Sequence, residues 1–343
     1  MRKYVALLLL TLLSSFAQGA EREPHVVGGS DAVISDAPWQ AFVRIGSFMC
    51  GGVVIANEWV LTAAHCLDTG GDDDDFSLAS ANSVSVYTGT ATINGAGFAS
   101  FQSSVDTIHA HNGYDKTTLA NDIALIKLSS SIHSNASSVV LADTAVQTAV
   151  EATADLSQQD LLLTGWGFID VNRNTSTNDL QKATLSTVSD SACASSWGAT
   201  LTDVAGYESK YFCAQESGRG ACNGDSGGPL VWFDPSRAAD SDAGATLVGL
   251  VSFGVNFQCA SPSFPDVYTQ VSNYRSWISS CQAGSCASNS SQVVTASSSG
   301  GGGGGTLGLG ILIWLSIMAA SRHILARNIF KVPGTLRMKQ YVE

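Results

Sequence analysis

The chain has 343 residues, enough for one or two domains around a substantial core. Its 17 Lys and Arg stand against 29 Asp and Glu, a formal net charge of −12 at pH 7, which argues against nucleic-acid binding. Eight cysteines in a chain with only 13% charged residues point to an extracytoplasmic protein with disulfides.

Arg2 and Lys3 precede an apolar run over residues 4–13, and Ala17-Gln18-Gly19 follows with small residues. These are the parts of an export signal, assigned to residues 1–19, and the run is short for a permanent membrane anchor. From Trp39 onward, short alternating or apolar runs broken by Gly, Ser and Asn predict strands at 40–45, 52–56, 59–62, 84–87 and 123–128. Few long amphipathic patterns intervene, so the fold class is all-β. Asp72, Asp73, Asp74 and Asp75 invite a calcium site, but four consecutive acids read better as a solvated loop, and no metal is assigned. Over residues 26–281, 9 Lys and Arg face 26 Asp and Glu, a surface that favours cationic over acidic substrates at long range.

The densest chemistry lies in Cys222-Asn223-Gly224-Asp225-Ser226-Gly227-Gly228-Pro229. A serine between glycines can sit on a tight turn, its hydroxyl exposed and neighbouring N–H groups free to meet a developing oxyanion. Asp225, adjacent in sequence, points elsewhere and needs another partner. A hydroxyl is a weak nucleophile at neutral pH, so Ser226 calls for a histidine base and an orienting acid. His65 in Leu61-Thr62-Ala63-Ala64-His65-Cys66 and Asp122 in Asn121-Asp122-Ile123-Ala124-Leu125 supply them. Singly, Gly-Asp-Ser-Gly is a surface turn and His65 a core histidine; together, in the order His, Asp, Ser, they point to nucleophilic catalysis.

With these motifs the chain resembles the trypsin/chymotrypsin-type serine endopeptidases, peptidase family S1, over residues 26–280. The resemblance implies two perpendicular six-stranded β-barrels with the site in the cleft between them, and a short closing helix at 273–279 with Trp277 packed inward. It implies acyl transfer without a cofactor on protein or peptide substrates. His65 takes the Ser226 proton, Asp122 orients His65, the Gly224 and Ser226 N–H groups hold the oxyanion, and water hydrolyses the acyl-enzyme. Thr164-Gly165-Trp166-Gly167 matches a strand beside the nucleophile loop. The family's disulfides fall on Cys50–Cys66, Cys193–Cys213 and Cys222–Cys259, leaving Cys281 and Cys286 to pair with each other. The family's calcium loop would fall near 89–99, which holds no Asp or Glu. An inactive homologue serving as a surface binding module is the alternative of another class, and an intact triad argues against it.

Val26-Val27-Gly28-Gly29 resembles the family's mature N-terminus, which makes residues 20–25 a propeptide. Cleavage there frees a Val26 ammonium to pair with Asp225 and shape the oxyanion loop, so a zymogen and an activating protease are expected. The processed enzyme should lose activity at high pH as that amine loses its proton. His25 stands where most relatives carry Arg or Lys, which leaves the activating protease open.

The family's specificity pocket would have Gly220, Ala221, Cys222 and Asn223 on one wall and Ser252, Phe253 and Gly254 on the other. Gly220 replaces the acid of trypsin-like relatives, which suggests a chymotrypsin-like or elastase-like pocket. Asp266, in Phe264-Pro265-Asp266-Val267-Tyr268, stands where relatives commonly have glycine, facing the pocket base. The charge is thus displaced across the pocket, as in the broad-specificity crab-collagenase type, and Arg and Lys are expected to be accepted. Its bland reading is a solvated loop carboxylate. Ser252 is expected to share a hydrogen bond with Asp122, and the 252–254 backbone to pair with an extended substrate.

Beyond Cys286 the composition turns to Ser, Ala and Gly, and residues 282–305 form a linker ending in six glycines. An apolar run at 306–320, short for a span, and a basic end at 321–343 follow. This order resembles the GlyGly-CTERM sorting tail of Gram-negative bacteria, cut by a rhomboid-like protease in carriers that often use type II secretion. It implies a secreted or cell-surface enzyme exported through the inner membrane; an uncleaved membrane-anchored protease is the alternative.

Overall fold

Runs of Val, Ile and Leu with every second residue turned to the same side build strands that are buried on both faces. The computed structural model describes residues 26–71, 75–154, 158–292 and 338–340. The export signal, the propeptide, the apolar run and most of the basic end lie outside them, as do residues 72–74 of the acid run. In the first barrel β1 is Gln40–Ile45, β2 Phe48–Ala56, β3 Trp59–Thr62, β4 Val84–Thr88, β5 Gln102–His111 and β6 Ala124–Leu128. In the second, β7 is Leu161–Gly165, β8 Gln181–Val188, β9 Tyr211–Gln215, β10 Pro229–Phe233, β11 Ala245–Val255 and β12 Asp266–Gln270.

Both barrels are antiparallel and close in the same cyclic order: first, second, third, sixth, fifth and fourth strand. Closure comes from β5 pairing with β4 on one edge and β6 on the other, and from β8 pairing with β9 and β7. Closing each sheet leaves the barrels few free edges. Short strands are added outside: Ser30–Asp31 on β8, Val140–Leu141 and Met338–Gln340 on β11, and Ser288–Gln292 on β5.

The strand period of two decides where each side chain goes. On β1, Ala41 and Val43 join Val54, Val60, Val86, Ile108 and Ile126 inside the first barrel. Phe42, between them, turns to a second cluster that includes Leu61, Leu125, Leu247 and Leu250, residues of both barrels. A third cluster fills the second barrel with Leu161, Leu163, Leu185, Leu230 and Tyr268. Burying one such aliphatic side chain contributes about 1.5–3 kcal/mol, so the shared cluster holds the barrels together.

The closing helix is Arg275–Gln282, later than the predicted 273–279, because a 3-10 turn occupies Val271–Tyr274. Tyr274, Ile278 and Cys281 face the core at helical spacing. Trp277 lies at the margin of that face, only partly buried, and donates through Nε1 to Ala287 O at 3.0 Å. All four disulfides are Cys50–Cys66, Cys193–Cys213, Cys222–Cys259 and Cys281–Cys286. No helix among the described residues is long and apolar enough to cross a membrane.

Candidate active site

β3 ends at Thr62, and a single 3-10 turn, His65–Leu67, carries the histidine on the first barrel. Asp122 stands just before β6, after Asn121, which takes φ +57, a left-handed conformation that Asn tolerates. The Asn121 side chain donates to Gly113 O at 2.6 Å and accepts from Tyr274 Oη at 3.1 Å, which anchors the bend.

Asp122 is fully buried and receives donors from both barrels. Its Oδ1 accepts His65 N–H at 2.9 Å, and its Oδ2 accepts His65 Nδ1 at 2.7 Å and Ser252 Oγ at 2.6 Å. Thr269 Oγ1 donates to Asp122 O at 2.7 Å. A carboxylate against Nδ1 requires that nitrogen to carry the hydrogen, which leaves the Nε2 lone pair free to accept a proton.

Ser226 sits on the second barrel, just before β10, in a loop tied on every side. Gly51 N–H donates to Ser226 O at 2.7 Å across the barrels, Gly227 N–H to Val251 O at 2.8 Å, and Gly228 N–H to Asp225 O at 2.9 Å. Gly227 takes φ +73, and a Cβ there would lie 2.2 Å from Thr62 Oγ1, so only glycine fits. Ser226 Oγ is buried and has no hydrogen-bond partner among the described residues. The Gly224 and Ser226 N–H groups likewise donate to nothing among the described residues. One hydroxyl and two amides therefore remain uncommitted among the described residues of this loop, whose Gly227 lies against Thr62 and Ala63, the chain leading to His65.

Asp225 turns the other way, into the second barrel. Its Oδ1 accepts Gly167 N–H at 2.8 Å and its Oδ2 Cys222 N–H at 2.9 Å. Complete burial pushes its carboxyl up to about 7; the two backbone donors oppose this, and the Asp266 charge adds to it. The Thr-Gly-Trp-Gly motif supplies the space: a Cβ at Gly165 would lie 2.0 Å from Asp225 Oδ1, and one at Gly167 2.5 Å from Oδ2. Val26 is fully buried in the same core cluster as Ala221 and Cys222.

Asp266 lies against Gly220, where a Cβ would come within 2.5 Å of its Oδ2. Ala221 N–H donates to that oxygen at 2.8 Å, and the residue is 5% exposed. It is therefore not a solvated loop carboxylate. Tyr268, fully buried behind it, has a hydroxyl without a hydrogen-bond partner among the described residues, its phenol held well above its usual range by burial and by the Asp266 and Asp225 carboxylates. Ser252 and Gly254 lie on β11, but the Phe253 ring turns away, edge-on to Trp197 at 5.3 Å and Tyr211 at 5.7 Å, leaving only its backbone for the expected pocket wall. Among the described residues, the two His and Cys groupings close enough to share an ion have their cysteines in disulfides, which removes the thiolates.

Sequence reasoning did not find Thr269, the space-making role of Gly165 and Gly167, or Tyr268. Only the two glycines carried a signal, as small residues flanking Trp166 in an otherwise bulky strand.

A family model described as Trypsin matches residues 26–278. Trypsin alpha of Drosophila erecta is 36% identical over 258 residues, covering 74% of this chain and 86% of the relative. Trypsin Blo t 3 of Blomia tropicalis is 33% identical over 259 residues, covering 75% and 85%. Trypsin Tyr p 3.0101 of Tyrophagus putrescentiae is 34% identical over 256 residues, covering 74% and 79%. Since the match runs from buried Val26 to Ile278 of the closing helix, across both barrels and the loops between them, the chain belongs to the trypsin family of serine endopeptidases.

Proposed function

We propose that the protein is a secreted endopeptidase, made as a zymogen, that works through His65, Asp122 and Ser226 and accepts Arg and Lys at the residue before the cut. The observation that carries the catalytic part is buried Asp122, whose contact with Nδ1 leaves Nε2 as the basic nitrogen. Nε2 takes the Ser226 proton as Oγ attacks the substrate carbonyl, and His65 then returns it to the leaving amine. The uncommitted Gly224 and Ser226 N–H groups receive the oxyanion, each worth about 3 kcal/mol in the transition state. Water attacks the acyl-enzyme by the same route, and no cofactor enters.

Removal of residues 20–25 by an activating protease would free the Val26 amine inside the second barrel, where buried Asp225 meets no cation among the described residues. An ammonium there relieves a carboxylate that burial has made costly. At the pocket base, Asp266 fills the volume opposite Gly220, which supports a displaced charge for basic side chains. Gly220 itself favours the chymotrypsin-like or elastase-like reading, with aromatic residues or Leu as competitors.

Export by residues 1–19 and sorting of the tail by a rhomboid-like protease and type II secretion complete the proposal. The relatives' names, all trypsins, favour an active secreted enzyme over an inactive binding module.

The test is a cleavage-site profile on a mixed peptide library, with protein processed to begin at Val26 and Ser226→Ala as control. Arg or Lys before the cut, lost in the control and weakened in Asp266→Gly, is the expected result. Cleavage after aromatic residues or Leu alone would reject the role of Asp266, and no cleavage would reject the catalytic reading. Intact mass of the membrane and released fractions decides whether the basic end is removed.

A further inference from the structure

Arg173 occupies a left-handed position, φ +60, which costs a non-glycine residue about 1 kcal/mol and needs a reason. The turn around it is built by Asp170. The Asp170 Oδ1 accepts Asn172 N–H at 2.9 Å, and Oδ2 accepts Asn174 N–H at 2.8 Å and Thr175 N–H at 2.6 Å. Burial alone would raise this carboxyl; those donors outweigh it and hold it below the usual carboxylate range. Ile169 N–H donates to Thr175 O at 3.0 Å and Arg173 N–H to Asp170 O at 3.1 Å, closing the loop on itself.

The same loop is fastened to both walls of the specificity pocket. Phe168 N–H donates to Asn223 O at 2.9 Å on one wall, and Cys259 N–H to Val171 O at 3.2 Å beyond the other. From this base the Arg173 guanidinium spans the walls, Nη2 donating to Asn256 O at 2.8 Å and Nη1 reaching Asn223 Oδ1 at 3.5 Å. Asn223 is next to Gly224, and Asn256 continues the edge of β11. The side chain is partly exposed, and among the described residues no carboxylate forms an ion pair with it. Five N–H groups on a guanidinium leave donors over after two contacts. An unpaired cation is thus held at the pocket rim of a domain whose other charges are mostly acidic.

We infer that Arg173 is a specificity-determining residue that recognises an acidic side chain on the amino-terminal side of the cut bond. The inference rests on the peptidase reading above. A substrate strand antiparallel to β11, with its reacting residue near Ser252, runs its amino-terminal part along Phe253 and Gly254 toward Asn256. The Met338–Gln340 strand runs antiparallel along Phe253–Val255, so this edge takes a strand in that direction. Residues two to four places before the cut then pass the Asn256 carbonyl and the cation on it. A carboxylate there meets the leftover N–H groups in a planar, charge-assisted contact, whereas a lysine meets like charge.

The experiment uses processed protein and quenched peptides that share the pocket-filling residue and differ only in Glu, Gln or Lys at the second, third or fourth place before the cut. At one of these places the Glu-to-Lys ratio of kcat/KM should fall roughly three-fold or more in Arg173→Gln, as for an exposed ion pair. It should fall further in Arg173→Glu, stay close to the parent in Arg173→Lys, and shrink in high salt. An unchanged ratio, including a uniform loss on every peptide as from a merely loosened loop, overturns the inference while leaving the peptidase. Absence of cleavage of any peptide by the parent overturns the peptidase reading and this inference with it.

Discussion

Ser252 Oγ on the second barrel donates at 2.6 Å to Asp122 Oδ2, the oxygen that also accepts His65 Nδ1 at 2.7 Å. Asp122, the proposed orienting acid, is therefore held from both barrels, and any slip between them reaches His65 directly. Ser252→Ala removes one charge-assisted hydrogen bond of about 1.5 kcal/mol, and we expect kcat to fall about ten-fold. Asp122→Asn presents an amide where Nδ1–H needs an acceptor, disfavours the useful tautomer, and should lower kcat by about four orders of magnitude. Steady-state kinetics on one peptide check both. An Asn variant within ten-fold of the parent would mean that Asp122 does not orient the base.

Gly165 and Gly167 are the space into which Asp225 folds, since a Cβ at either would overlap its carboxylate. Gly165→Ala must push Asp225 aside, and the Gly224 and Ser226 N–H groups on its flanks go with it. Overpacking of this kind costs about 1–3 kcal/mol of stability. One oxyanion donor is worth about 10²–10³ in kcat, so activity should drop at least a hundred-fold while the protein still melts cooperatively. A folded Gly165→Ala protein with parental kcat would sever the link between this motif and the oxyanion loop.

How much of this was legible in the sequence follows from how local each feature is. The strands were readable because Val43, Val54, Val60 and Ile126 recur at the period of a buried sheet. Three of the disulfides came with the family resemblance, and Cys281–Cys286 as the pair it left over. The purpose of Gly165 was not readable, because its only reason is a carboxylate sixty residues away in sequence. Thr269 and Arg173 are hidden for the same reason: each acts on a backbone carbonyl of a distant segment, and a carbonyl leaves no mark in a sequence. The closing helix was placed early because the sequence does not mark where the 3-10 turn Val271–Tyr274 gives way to the α-helix that begins at Arg275.

Asp225 makes the uncleaved chain pH-sensitive. Its carboxyl, near 3.9 in an unfolded chain, is pushed up to about 7 by burial in the fold. Between those values the folded state holds more protons than the unfolded one, so stability falls as pH rises from about 4 to about 7, with a ceiling of about 4 kcal/mol. A free Val26 ammonium would pair with the carboxylate and remove that fall. Melting temperature against pH should therefore slope downward in a Ser226→Ala precursor, and less in the processed form or in Asp225→Asn. Asp190, raised to about 6 by burial and then by Glu151 and Glu208, gives a background of the same sign in all three. A precursor whose slope matches that of its Asp225→Asn variant would refute the account.

Cys281 lies in the closing helix, and Cys286 follows just before the strand Ser288–Gln292, which pairs along β5 from Ser288 opposite His111 to Gln292 opposite Thr107. The bridge thus turns the chain back from the second barrel onto an edge of the first, helped by Trp277 Nε1 on Ala287 O and by Ala81 N–H on Ser291 Oγ at 3.1 Å. Replacing both cysteines by serine frees a short ring, worth about 2 kcal/mol in the chain-entropy model, and a few degrees in melting temperature. Few buried contacts hold this strand otherwise, so its amides should exchange at least ten-fold faster while kcat stays within two-fold of the parent. The clamp touches neither Ser226 nor Asp122, so a large loss of kcat would show that its role reaches the catalytic loop, and unchanged exchange at 288–292 would show that the strand holds without it.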